Sequence, residues 1–85
     1  MITMIEFVLT HSFQLRPDGT VGVCLRPSDA TIADYISTWR NYDDITQANA
    51  ELGDFILEMT PLLYADFQAM ENIPASIKSI YLLED

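Results

Sequence analysis

Ile5-Glu6-Phe7-Val8-Leu9-Thr10-His11-Ser12-Phe13-Gln14-Leu15 alternates at period two. Its odd positions are Ile5, Phe7, Leu9, His11, Phe13 and Leu15, apolar except for the histidine. Its even positions are polar except for Val8. Successive strand residues face opposite sides, so this stretch predicts a strand buried on one side only.

The next residues, Arg16-Pro17-Asp18-Gly19-Thr20, carry turn chemistry. Proline presets the first turn position, and glycine accepts the positive φ that a three-residue hairpin loop with a bulge requires. Val21, Val23 and Leu25 then alternate with Gly22, Cys24 and Arg26. If Arg16 faces Thr20, Leu15 lies opposite Val21, Phe13 opposite Val23 and His11 opposite Leu25. Turn and apolar pattern agree on one register.

Downstream the pattern predicts helices. Ser28 can cap a first one, with Ile32, Tyr35, Ile36, Trp39 and Tyr42 as its apolar stripe and Asn41 to Asp44 as its end. A second runs from about Asp44 to Met59, with Ile45, Ala48, Leu52, Phe55, Ile56 and Met59 on one face. Thr60-Pro61 stops it and starts a third, whose buried side is Leu63, Phe67 and Met70 and which Asn72-Ile73-Pro74 closes. The tail from Ser76 to Leu83 suits a helix through Ile77, Ile80 and Tyr81. A third strand beside Met4 to Val8, covering an otherwise open edge, is preferred. The expected fold is a single α+β domain over residues 1–85. It comprises an N-terminal antiparallel hairpin, three α-helices packed on one sheet face and a C-terminal third strand, in the order ββαααβ.

The 85 residues are 49% hydrophobic, which argues for a globular chain despite the charge. Against thirteen acidic residues stand only Arg16, Arg26, Arg40 and Lys78, giving a net charge of −9. Such a chain repels nucleic-acid phosphates and anionic membranes and is steered toward basic surfaces. The start of the sequence has no basic residue before its short apolar run, so no signal peptide is expected, and no stretch is long enough to span a bilayer. Cys24 is the only cysteine, so no internal disulfide forms, and a cytoplasmic setting is expected.

At 100° per residue, Glu51, Asp54 and Glu58 stack on the side of the second helix opposite Leu52, Phe55 and Ile56. Asp43 and Asp44 extend the charge at its N-terminus, where the helix dipole favours anions. Like charges three and four residues apart cost a few tenths of a kcal/mol per pair, roughly, and this helix has no Lys or Arg to relieve them. The row is either a solvated face that keeps the protein in solution or a docking surface for a basic site, with charge spacing like that of a nucleic acid. Trp39, with Tyr35 and Tyr42, is a residue type enriched at binding hot spots, although such spacing also suits a core. Arg40 beside it reads as an anchor or a snorkelling surface residue. Gly53, Ala50 and Leu57 form a small, apolar flank that predicts close packing of a neighbouring helix or contact with a second subunit.

Catalytic chemistry finds little support. His11, the only histidine, points to the apolar side of the hairpin and reads as a core residue with satisfied ring nitrogens. Cys24 lies on the other face, opposite Ser12, so neither a Cys–His nucleophile pair nor a shared metal is expected. No glycines surround a serine as in a nucleophile elbow, and no glycine loop is built for phosphates. The window Asp43 to Asp54 puts Ile45 and Gln47 where a calcium loop needs oxygen ligands. No catalytic residue, metal or cofactor is therefore expected. The expected function is a small acidic protein-binding module: an inhibitor or antagonist, of a kind that fits a phage or mobile element, using Glu51, Asp54, Glu58, Asp43, Asp44 and Trp39 against a basic protein partner. A homo-oligomeric or accessory structural subunit, joined through Leu57, Gly53 or an open strand edge, is the alternative.

Overall fold

The Pro17-Asp18-Gly19 turn sets the register of the main sheet. Gly19 takes a φ of 91°, and the N–H groups of Gly19 and Arg16 donate to the carbonyls of Arg16 and Thr20, each across 3.0 Å. Asp18 Oδ1 accepts from the Thr20 N–H at 3.0 Å and from its hydroxyl at 2.6 Å, which locks the loop. The computed structural model describes residues 5–82, and of Leu82 only the backbone.

Strand β2 (Leu9–Leu15) pairs antiparallel with β3 (Val21–Pro27), with Leu15 opposite Val21, Phe13 opposite Val23, His11 opposite Leu25 and Ser12 opposite Cys24. This is the register that turn and apolar pattern predict together. The odd-numbered residues of the long period-two stretch do not form one continuous strand. Ile5–Glu6 is a separate short strand, β1, and only Phe7 and Leu9 of the expected stripe are buried.

The first expected helix does not form. Asp29 to Tyr35 is a run of turns, with Ile32 N–H donating to the Asp29 carbonyl and Tyr35 N–H to that of Ile32. Thr38–Tyr42 is strand β4, paired antiparallel with β3 so that Val21 faces Tyr42, Val23 faces Arg40 and Cys24 faces Trp39. The three- and four-residue spacing of Ile32, Tyr35 and Ile36 arises from consecutive turns. Thr38, Trp39 and Tyr42 have side chains that fit a pleated surface. Without this strand β3 would be a sheet edge; with it, Val21, Val23, Cys24 and Leu25 are all buried.

The expected second and third helices are one. Helix α1 runs from Ile45 to Ala69, 25 residues, with Pro61 inside it. Pro61 has no N–H to give the Leu57 carbonyl, an interior defect that costs about 3 kcal/mol in an exposed helix. The helix continues because its buried stripe does not change phase: Phe55, Met59, Leu63 and Phe67 succeed one another at four-residue steps, and all belong to the core or pack against it. The Thr60 hydroxyl donates to the Ile56 carbonyl at 2.7 Å, tying the turn before the proline. The fold is thus α+β with one long helix and the four-residue α2 (Ala75–Lys78), not a three-helix layer.

The chain ends of the described region meet. Strand β5 (Tyr81–Leu82) pairs parallel with β1, as a two-stranded sheet separate from β2-β3-β4. The expected C-terminal strand is therefore two residues long and adds nothing to the main sheet, since Ala75–Lys78 is helical; Met4 and Leu83 lie outside the described residues.

The core lies between α1 and the sheet face that carries Leu9, Val21, Val23, Leu25 and Tyr42. At the N-terminal half of the helix, Phe55 packs under β4, with the Arg40 guanidinium 4.4 Å from its ring centroid. At the other half, Phe7 meets Tyr64 and Phe67 at centroid distances of 5.3 and 5.9 Å, and Phe67 meets Tyr81 at 5.4 Å. No helix among the described residues is long and apolar enough to cross a membrane.

Candidate functional site

Helix α1 presents the acidic row. Its start is fixed by Asp44, the N-cap, whose Oδ1 accepts from the Gln47 N–H at 2.8 Å. Gln47 Oε1 in turn accepts from the Asp43 N–H at 2.8 Å, a reciprocal arrangement close to a capping box. Asp44 is thereby committed to holding the helix.

From that start the backbone carries Glu51, Asp54 and Glu58 to one exposed flank of the buried stripe, not opposite it as expected: Glu51 lies one turn from Phe55 and Asp54 turns furthest from it. The three are not equivalent. Glu58 Oε2 lies 3.1 Å from Arg40 Nη2, the only salt bridge among the described residues, and the same guanidinium covers Phe55. Glu51 and Asp54 are exposed and make no ion pair there. The remaining cations are elsewhere. Arg16 Nη2 donates to Asn41 Oδ1 at 2.9 Å, Arg26 lies 4.0 Å from Cys24 Sγ, and Lys78 Nζ donates to the Gln68 carbonyl at 3.1 Å.

Two large apolar side chains flank the acidic row. Leu57 is 75% exposed and Leu62 53% exposed. At helical spacing, Leu57 borders Asp54 on one side and Leu62 follows Glu58 by one turn on the other. Period analysis finds the carboxylates but places Leu62 within the separate third helix, so this flank emerges only once the helix is continuous through Pro61. Nothing among the described residues packs beside Gly53, so the neighbouring helix expected there is not found.

Trp39 is not part of this surface. Arg40 faces α1, so Trp39, next in the strand, lies on the opposite sheet face, 52% exposed. There its Cζ3 and the Arg16 guanidinium lie over Gly22, where any Cβ would come within 2.6 Å of Arg16 Nη2. Cys24, paired beside Trp39 in β4, is buried.

His11 is exposed, not a core histidine, because the helix covers the Leu9 end of β2 and leaves the middle of the strand open. It contacts Phe13 at a centroid distance of 5.4 Å, while Cys24 is buried on the other face. Among the described residues no group of three or more His, Cys, Asp or Glu side chains is placed to hold a metal. The crevice lined by Phe7, Pro27, Asp29, Ile32 and Tyr81 is too tight to admit even a water-sized sphere.

Above that crevice lies the most connected polar cluster. Tyr81 donates its phenol to Asp29 Oδ2 at 2.6 Å, and Asp29 Oδ1 accepts from the Thr31 N–H at 2.9 Å and its hydroxyl at 2.8 Å. The Tyr81 bond, then those from Thr31, hold the Asp29 carboxyl below its ordinary value. Burial, then the adjacent Asp29, push the Tyr81 phenol up. The cluster fastens β5 to the loop after β3. Comparisons with protein-family models, with curated proteins and with solved structures find no match for this chain.

Proposed function

We propose that the chain is a non-catalytic protein-binding module, an inhibitor or antagonist, whose α1 face docks on a basic site of a protein partner. The observation that carries this reading is the composition of that face: Glu51 and Asp54 exposed without cations, bordered by exposed Leu57 and Leu62. Charge alone would serve solubility. Large apolar side chains kept in solvent beside it are what an interface needs, since desolvated apolar anchors supply affinity while surrounding charges supply steering and register. The carboxylate row supports a cationic partner surface, of the kind that otherwise receives nucleic-acid phosphates. Asp43 and Glu58 form the ends of the surface.

Affinity capture from native lysate at low and high salt tests the proposal. The expected result is a partner retained at low salt, released at high salt, and lost from the Glu51→Lys, Asp54→Lys double variant. Capture that is indifferent to those two charge reversals sinks it.

A further inference from the structure

Strand β2 is a seven-residue edge strand of the main sheet, and no strand among the described residues pairs with its outer side. Natural edge strands are usually blunted by charged side chains, proline or a bulge. Leu9-Thr10-His11-Ser12-Phe13-Gln14-Leu15 contains no Asp, Glu, Lys, Arg or Pro, and it runs against β3 in unbroken register. In a chain of net charge −9, this edge is left open and free of acids.

The hydrogen bonds at its two ends fix which groups are open. Ser28 N–H donates to the Val8 carbonyl at 2.8 Å, and Arg16 N–H to the Thr20 carbonyl at 3.0 Å. Even-numbered residues therefore aim their backbone groups at β3, and the N–H and C=O of Leu9, His11, Phe13 and Leu15 point outward.

We propose that β2 pairs antiparallel with β2 of a second copy of this chain, about a two-fold axis at Ser12. The occupant follows from the near-symmetry of the strand about Ser12: Leu9 mirrors Leu15, polar Thr10 mirrors polar Gln14, the rings of His11 and Phe13 mirror each other, and Ser12 meets itself. In that register the residues with outward backbone groups pair with one another, Leu9 with Leu15 and His11 with Phe13, so each offers both its N–H and its C=O. Paired residues share a face. Leu15, 70% exposed, would lie beside Leu9 of the second copy at the margin of that copy's core, while Ser12 and Gln14 stay on the polar side. A closed isologous pair also removes the β2 edge of each copy, joining two three-stranded sheets into one with β4 at either end.

The test is sedimentation of the full chain over a concentration series, with Ser12→Lys, Ser12→Glu and a one-to-one mixture of the two. Ser12 is exposed on the sheet face away from α1, so either side chain is accommodated in the monomer. The wild type is expected to dimerise with rising concentration, and each variant alone to associate about tenfold or more weakly, because like charges meet at the axis. The mixture, which sets Lys opposite Glu, is expected to restore the dimer. Added salt is expected to strengthen the wild-type dimer, since two acidic copies repel, whereas it releases a basic partner; the two proposals therefore fail separately. A wild type that stays monomeric throughout, a dimer untouched by Ser12→Lys but dissolved by Leu57→Glu, or variants that remain apart when mixed would each overturn the pairing.

Discussion

The Tyr81 hydroxyl donates to Asp29 Oδ2 across 2.6 Å, joining residues 52 positions apart and tying β5 to the loop that follows β3. Burial of the phenol and this bond together make stability depend on pH in two directions. Asp29 sits below its ordinary value of 3.8 in the folded chain, so its contribution is present above that value and disappears as pH falls through the folded one. Tyr81 sits above its ordinary 10.0, so its contribution is present below 10.0 and disappears as pH rises through the folded value. Tyr81→Phe should lower the melting temperature near neutral pH and shrink the acid-side loss, leaving the part due to Thr31 on Asp29 and Thr20 on Asp18. Urea midpoints of both proteins from pH 2 to pH 11, roughly the span of these groups' titrations, check this. Identical acid limbs would show that the bond contributes nothing.

Pro61 supplies the second prediction. It is exposed, so Pro61→Ala removes no core contact and returns an N–H to the Leu57 carbonyl. Relief of an interior proline, less the entropy that proline removes from the unfolded chain, should raise unfolding free energy by about 2 kcal/mol. Denaturant titration measures it. A destabilised variant would mean that the proline, rather than the missing hydrogen bond, decides the path of the helix from Pro61 to Tyr64 and Phe67.

How far the residues announce this fold depends on the range of the interactions involved. The Gly19 turn and the β2–β3 register are local, and both can be read from the sequence because turn chemistry and alternation point the same way. Thr38 to Tyr42 cannot: Trp39 and Tyr42 only happen to continue the three-residue spacing that Ile32 and Tyr35 owe to turns, and the strand exists because β3 needs a second neighbour. Pro61 misleads for the complementary reason, since a local stop signal is overridden by the continuous Phe55–Met59–Leu63–Phe67 stripe. The carboxylates of the acidic face were legible, whereas the Arg40–Glu58 pair was not, because it joins β4 to α1 across the sheet–helix interface.

The Asp44 cap gives a third expectation. Asp44→Ala leaves the Gln47 N–H without its partner and should cost about 1 kcal/mol, while Asp44→Asn, which keeps the acceptor, should be nearly neutral. Thermal melts followed by far-ultraviolet circular dichroism distinguish them. Equal losses from both would assign the effect to charge at the helix terminus rather than to the hydrogen bond.

The acidic row makes the fourth. Glu58 already faces Arg40, whereas Asp54, one turn earlier, has no cation among the described residues. A basic partner therefore meets an unneutralised charge at Asp54 and a shared one at Glu58. Asp54→Asn should weaken capture more than Glu58→Gln, because a partner cation at Glu58 must compete with an arginine held in place by Phe55. Folding stability should respond the other way. Glu58→Gln removes a surface pair worth about 0.5 kcal/mol, while Asp54→Asn relieves repulsion from Glu51 and Glu58. Paired affinity and denaturation measurements on the two variants read both quantities. An equal loss of affinity from each would show that only the total charge of the helix matters, and that the flanking Leu57 and Leu62 do not fix where the partner sits.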